Sequence, residues 1–249
     1  MITALITLPI RNFGFLFFKL LLVVSFIAGS TISHSAVLVK DKKWQKGSTL
    51  NVVFLDGSQQ LQRLVSETAP QWLEDTSLSF RFYASSESAP SLTHIRISFK
   101  LHSGSQLGNH KDYTSRFPTM NLFDLTSNQI SDSGARRLIL HEFGHALGLE
   151  HEYRNQYWPY GLQVIQPILN DCYPKMELIG YSKKTAIQRC KEINSPISSK
   201  AALLTAYDER SIMNYPISFE LPSGVLKHIE PAINLSVLDK HAVQQWYGH

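Results

Sequence analysis

Hydrophobic and polar positions in the first half of the chain form blocks that predict strands and helices in turn. Residues 48–55 are rich in β-branched and aromatic side chains, which is typical of a strand. Residues 59–73 carry apolar side chains at helical spacing, and Pro70 is expected to interrupt that helix. Two segments with a period of two, 77–83 and 93–99, predict half-buried strands. The order strand, helix, strand, strand indicates an α+β or mixed-sheet domain.

The segment that follows predicts loops and then a second helix. Residues 100–132 are rich in Gly, Ser, Asn and Asp, so we expect loops with one or two short strands. Ser131, Asp132 and Ser133 can each cap a helix that begins there. Because no internal repeat or low-complexity linker divides the chain, we expect one folded domain.

The N-terminal segment has the pattern of an export signal. Residues 1–36 contain Arg11 and Lys19, no acidic residue, and a short apolar run followed by small residues. This predicts a signal peptide that is cut on either side of Ala36, with an uncleaved membrane anchor as the alternative. We therefore expect a secreted or periplasmic protein whose single domain spans 37–249 and has no stable membrane association after cleavage.

Composition and charge exclude several classes of protein. The chain has 249 residues, of which 43% are hydrophobic and 18% charged, so disordered, collagen-like and multi-span membrane proteins are excluded. It has 24 basic and 20 acidic residues, and the first 36 residues hold two of the basic ones. The 22 basic residues that remain exceed the acidic ones by too little to predict nucleic-acid binding.

Two cysteines, Cys172 and Cys190, lie in the exported part of the chain. In an exported protein such a pair at short spacing favours a disulfide. The alternative is two unpaired cysteines that act as small hydrophobic residues.

The second helix carries the candidate chemistry. His141 and His145 lie one turn apart in an HExxH pattern, so both project from the same side of the helix. Gly148 can adopt a left-handed conformation and end the helix, which returns the chain so that His151 comes towards the same point. Three imidazoles arranged in this way predict a site for one Zn²⁺ ion.

The predicted zinc site has the composition of a catalytic centre. Three neutral histidines leave an open position, whereas structural zinc sites close all four. Zinc lowers the pKa of a bound water to about 7, and Glu142 is placed to take its proton and to deliver it to a leaving amine. Peptide hydrolysis follows from these roles. No calcium site is expected. Within residues 37–249, the histidines without partners at ligand spacing are His94, His102, His110, His228, His241 and His249.

The segment from His141 to His151 resembles the zinc signature of the metzincin peptidases. Downstream, Ser211-Ile-Met213-Asn-Tyr215 resembles their methionine turn, and Glu152 together with Tyr215 is similar to the astacin-like branch, as in bacterial secreted members. The resemblance implies that Met213 forms a hydrophobic floor under the metal and that Glu152 is structural. It implies that Tyr215 approaches the zinc and stabilises the oxyanion, the alternative being a packed aromatic ring.

This resemblance also implies a fold. It is an α+β zincin domain with a twisted mixed sheet and helices above a horizontal cleft, and an irregular lower half after Gly148. The strand near 98–107 would be the sheet edge that pairs with substrate. Residues 235–247 would form the closing helix, with Leu235, Leu238, Val243 and Trp246 in the core.

The leading functional hypothesis is a secreted, monomeric zinc endopeptidase acting on proteins or peptides. A cut near Ala36 leaves no room for a pro-domain before the catalytic domain, so we expect no latency of that kind. The alternatives are a toxin-like binding module that keeps the zinc scaffold without turnover, and a hydrolase of peptidoglycan peptides. Glu142 and Tyr215 favour an enzyme, because a purely structural zinc site needs neither.

Overall fold

A computed structural model describes residues 36–178, 180–204, 206–230 and 232–249. Apart from Ala36, the expected signal peptide over residues 1–36 lies outside these residues. No helix within them is both long and apolar enough to cross a membrane.

The N-terminal half is built on a mixed, mostly parallel sheet. Strand β2 pairs in parallel with β3 on one side and with β4 on the other, and β4 pairs in parallel with β6. Strand β5 pairs antiparallel with β6 and lies at one edge, so the order is β3-β2-β4-β6-β5. The expected strands are present, but β4 is buried along its whole length rather than half buried, and the edge strand is shorter than the 98–107 expected. The strands are β2 (Thr49–Phe54), β3 (Ser79–Tyr83), β4 (Ile95–Ser98), β5 (Gly104–Ser105) and β6 (Met120–Asn121).

Two helices pack with this sheet around the main core. Helix α1 (Gln59–Thr68) gives way to a 3-10 turn that contains Pro70, as the sequence predicts. Helix α2 (Asp132–Ala146) begins at Ser131, whose hydroxyl accepts a hydrogen bond from a backbone N–H of the first turn. The buried Trp72 indole donates to the carbonyl of Leu140 at 2.8 Å and so joins the turn after α1 to α2.

The C-terminal half contains more regular structure than the sequence indicates. Strand β1 lies between β7 and β8 in an antiparallel sheet, and β9 and β10 form a hairpin. Its elements, with the N-terminal strand that joins them, are β1 (Val37–Val39), β7 (Leu149–Glu150), α3 (Gln166–Leu178), α4 (Lys183–Ile193), β8 (Ala202–Leu204), β9 (Ile217–Glu220), β10 (Leu226–Ile229) and α5 (Val237–Tyr247).

Helix α5 is the expected closing helix, but the set of residues that it buries differs from the predicted one. Val243 and Trp246 are buried as expected, whereas Leu235 and Leu238 are only half buried. The fully buried position next to Leu238 is occupied by Asp239. This carboxylate also closes a capping box with Ser236, which fixes the start of the helix.

The expected disulfide is present and joins α3 to α4. Cys172 and Cys190 are bonded across a separation of 18 residues. Leu169 and Ile165 on or just before α3 belong to a second, smaller hydrophobic cluster that includes Cys190. The disulfide therefore strengthens a region that has a smaller core than the sheet.

We expect the double substitution of Cys172 and Cys190 by Ala to destabilise the protein by up to about 3 kcal/mol, because the unfolded chain loses a closed loop of this size. Denaturant unfolding of the variant and of wild type, each with and without reductant, measures the difference. Reductant should lower the stability of wild type to that of the variant and leave the variant unchanged. An oxidised wild type no more stable than the variant would contradict the expectation.

Candidate metal centre

Helix α2 and the turn that ends it bring three histidines to one point. His141 and His145 are buried on α2, and Gly148 follows with φ of +98°, a conformation that favours glycine. The chain reverses there, and the Nε2 atom of His151 lies 3.2 Å from Nε2 of both His141 and His145. Among the described residues, this is the group of side chains that could hold a metal ion.

Backbone carbonyls determine which nitrogen of each helical histidine faces the centre. Nδ1 of His141 lies 2.8 Å from the carbonyl of Ile212, and Nδ1 of His145 lies 2.8 Å from that of Leu149. Because a carbonyl only accepts hydrogen bonds, Nδ1 carries the proton in both rings. Each Nε2 therefore keeps a lone pair that points towards the shared point, as a metal ligand requires.

The charge state of the three imidazoles suits a cation. Burial lowers the pKa of His141 to about 3, and it lowers the pKa of His145 and of His151 below the ordinary histidine value. All three are therefore neutral near pH 7. Two nitrogens that bind one tetrahedral zinc ion lie about 3.3 Å apart. The distances from Nε2 of His151 to Nε2 of His141 and of His145 are close to this value. The donor set fits zinc.

Glu142 lies beside this cluster as a buried carboxyl group. Burial raises its pKa to about 8, and the charge of Arg137 opposes that rise. No hydrogen-bond partner among the described residues reaches its Oε2 atom. A buried oxygen without a partner is costly, so it favours a site that receives a further polar group such as a water molecule.

The methionine turn lies directly beneath α2. Met213 is buried, and a Cβ atom on Gly144 would overlap its sulfur, so only glycine at position 144 allows this approach. The backbone N–H of Glu152 donates to the carbonyl of Met213 at 3.2 Å, and the Glu152 side chain is fully buried. The role of Gly144 escaped the sequence analysis, although it lies within the HExxH pattern.

Tyr215 lies at the rim of the centre. Its ring centroid is 4.7 Å from that of His151, and 39% of the residue is exposed. Burial raises the pKa of its phenol, and the charge of Glu142 raises it further. The hydroxyl thus stays protonated at neutral pH and can donate a hydrogen bond.

Arg137 is a neighbour of the centre that the sequence analysis missed. Its Nη2 donates to the carbonyl of Asn214 at 3.2 Å, which joins α2 to the residue before Tyr215. It lies four residues before His141, so helical spacing alone places both side chains on one face of α2. This spacing was the signal that could have revealed it.

Two cavities flank the centre, and His151 and Tyr153 line both. One of about 510 Å³ extends to Ser105 of the sheet edge. The other, of about 320 Å³, is lined by Tyr215 and by residues of α3 that include Met176. The centre is therefore open to molecules on two sides.

No protein-family model and no curated protein matches the chain. Among solved structures, one of myroilysin aligns over 86% of this chain and 98% of its own, with 24% identity and a TM-score of 0.64. A second structure of myroilysin covers 84% of this chain and 87% of its own, at 26% identity and a TM-score of 0.58. The chain has an astacin-like metzincin fold.

The astacin-like fold confirms the expected α+β zincin architecture. The three-histidine cluster within this fold agrees with the expected class of enzyme, a zinc metalloendopeptidase. High choriolytic enzyme 1, a hatching enzyme zinc-protease from the medaka fish Oryzias latipes, aligns over 82% of this chain and 93% of its own, with 16% identity and a TM-score of 0.49.

We expect His151→Ala to abolish tight zinc binding, because two ligands hold the ion far less well than three. Zinc content after dialysis against a weak chelator, and the rise in Tm on adding zinc, measure this loss. His228→Ala is the matched control, since His228 lies on the β9–β10 hairpin and bonds Ser218 instead. Zinc binding by His151→Ala equal to that of the control would contradict the assignment.

Proposed function

We propose that the protein is an exported zinc-dependent endopeptidase that uses Glu142 as general base and acid and Tyr215 as oxyanion donor. One Zn²⁺ ion would be held by His141, His145 and His151. The observation that carries the proposal is the position of Glu142, whose buried Oε2 has no partner among the described residues and which directly follows the first of three converging histidines.

Zinc, when bound, polarises a substrate carbonyl and lowers the pKa of a water molecule. Glu142 would be ionised beside the bound ion, because a neighbouring positive charge opposes the burial that raises its pKa. The Glu142 carboxylate then accepts a proton from the attacking water and later delivers it to the departing amine nitrogen. Its buried surroundings hold it in place between the two steps.

Tyr215 supplies the complementary interaction on the substrate oxygen. Its phenol is protonated and lies at the rim next to His151, so it can donate to the negative charge that develops on the carbonyl oxygen. The Arg137 bond to the carbonyl of Asn214 holds the backbone before Tyr215.

An extended protein or peptide is the substrate that suits this cleft. Strand β5 lies at the edge of the sheet, and Ser105 within it lines the same cavity as His145 and His151. A free strand edge pairs with an extended chain through main-chain hydrogen bonds, which requires little sequence selectivity. The cavities on both sides of the centre would receive substrate on each side of the scissile bond.

Export of a monomer completes the proposal, with residues 1–36 as the signal peptide and 37–249 as the catalytic domain. Ala36 and Val37 are buried, and β1 begins at Val37 in the middle of an antiparallel sheet. In the folded domain, a peptidase could not reach the peptide bonds on either side of Ala36. Cleavage next to Ala36 would thus precede folding, as occurs when a signal is removed during export.

We expect Glu142→Gln to lower kcat for casein at least about 100-fold, because the general base and acid is lost. Zinc content should stay at the wild-type level, since the three histidines are unchanged. Glu67→Gln, on the exposed side of α1, is the control and should keep full activity. Equal activity of Glu142→Gln and wild type would exclude the general-base role, and a zinc-loaded wild type that cleaves neither casein nor peptidoglycan peptides would indicate a binding module.

We expect Tyr215→Phe to lower kcat roughly 10- to 1000-fold with little change in zinc affinity, as for loss of one oxyanion donor. Tyr157→Phe removes a hydroxyl from an exposed tyrosine that lines a different cavity, so it controls for the substitution itself. Steady-state kinetics and zinc titration of both variants measure the effect. Loss of zinc with an unchanged kcat of the loaded form would show that Tyr215 only supports the metal site.

A further inference from the structure

A buried carboxylate on helix α5 lies beneath the methionine turn. Asp239 is fully buried, and both of its oxygens accept hydrogen bonds. Oδ1 accepts from the hydroxyl of Ser211 at 2.6 Å, and Oδ2 accepts from the backbone N–H of Ile212 at 2.8 Å and of Ser236 at 2.9 Å. Two of its three donors therefore belong to the turn rather than to its own helix.

These bonds continue as an ordered chain to the metal centre. The Ser211 hydroxyl that donates to Asp239 accepts from the N–H of Met213 at 3.0 Å. That N–H belongs to the same peptide group as the carbonyl of Ile212, which accepts from Nδ1 of His141 at 2.8 Å. Every donor in the chain points towards Asp239, and hydrogen bonds aligned in one direction strengthen one another.

We propose that Asp239 is a positioning residue for His141, acting through the peptide group between Ile212 and Met213. This inference rests on the proposed role of His141 as a zinc ligand. Oδ1 of Asp239 reaches this peptide through the Ser211 hydroxyl, and Oδ2 holds the N–H of the preceding peptide, that between Ser211 and Ile212. The Ile212 carbonyl in turn fixes the ring orientation and tautomer of His141. A partner that accepts from the outer nitrogen of a histidine ligand also raises the basicity of the ligating nitrogen.

The capping box with Ser236 accounts for one bond of Asp239 but not for its two bonds to the turn. Removing a carboxylate from water is costly, and apolar residues of similar volume often serve a core as well or better. Neighbouring buried positions on α5 are indeed apolar, as at Ala242 and Val243. A second carboxylate, Asp208, is also bound into this region, since it accepts from Ser236 Oγ at 2.6 Å while its carbonyl accepts from the Asn214 side chain at 2.7 Å.

The test measures zinc affinity, by competition with a chromophoric chelator, and the visible absorption of the Co²⁺-substituted protein. Loss of a direct partner of a ligand usually costs about 10- to 100-fold in metal affinity, and Asp239 acts through intervening groups, so we expect Asp239→Ala to raise the Kd for zinc about 10-fold. The cobalt bands should shift, because the geometry at His141 changes. Asp239→Asn should recover most of the affinity, since its amide oxygen can still accept from Ile212 and Ser236.

Val243→Ala is the control, because it creates a cavity one turn further along the same helix and removes no hydrogen bond to the turn. It should lower the Tm and leave the Kd for zinc unchanged. The proposal is overturned if Asp239→Ala binds zinc like wild type, or if Asp239→Asn does not recover zinc affinity. It is also overturned if Val243→Ala weakens zinc binding as much as Asp239→Ala.

Ser211→Ala keeps the test decisive if Asp239→Ala does not fold. It removes the hydroxyl between Asp239 and the Met213 N–H and leaves the carboxylate in place. A raised Kd for zinc supports the proposal, and a wild-type Kd overturns it. These results differ from those that would contradict the proposed function. That function would be contradicted by a wild-type protein that binds no zinc, or by a Glu142→Gln variant with full activity.

Discussion

Two hydrogen bonds from imidazole Nδ1 atoms to backbone carbonyls are the constraint on which the candidate site depends. They join α2 to Ile212 in the methionine turn and to Leu149 in β7. Each bond fixes a tautomer, and the tautomer directs a lone pair at the shared point. The helix alone would place two rings on one face without fixing their orientation. The lower half of the domain therefore determines what the histidines of α2 can bind.

Burial has opposite consequences for the pKa of the three histidines and for that of Glu142. It lowers the pKa of His141 to about 3 and raises that of Glu142 to about 8, so burial favours the uncharged form of both groups near pH 7. In the proposed function, a bound cation would use the neutral imidazoles that are already present. It would also favour the carboxylate form that Glu142 needs in order to accept a proton.

Sequence reasoning succeeded where the determining geometry is local. The three histidines lie within eleven residues, and a helix followed by a glycine turn suffices to bring them together. Strand β1 was missed because three residues carry no measurable periodicity and its partners are distant in sequence. Asp239 was missed because the core face of α5 was predicted from apolar residues alone. Asp239 lies three, four and seven residues before Ala242, Val243 and Trp246, so it is on their buried face, where a carboxylate is rare.

The contact between α5 and the methionine turn has a consequence for biosynthesis. A ribosome completes the HExxH segment long before it reaches α5, so for part of translation the histidines exist without the carboxylate that holds the turn beneath them. In the proposed peptidase, hydrolytic competence would then arise only once α5 has been made and has docked. A cell that synthesises such an enzyme for export would be protected from the nascent chain by the order in which its parts are made.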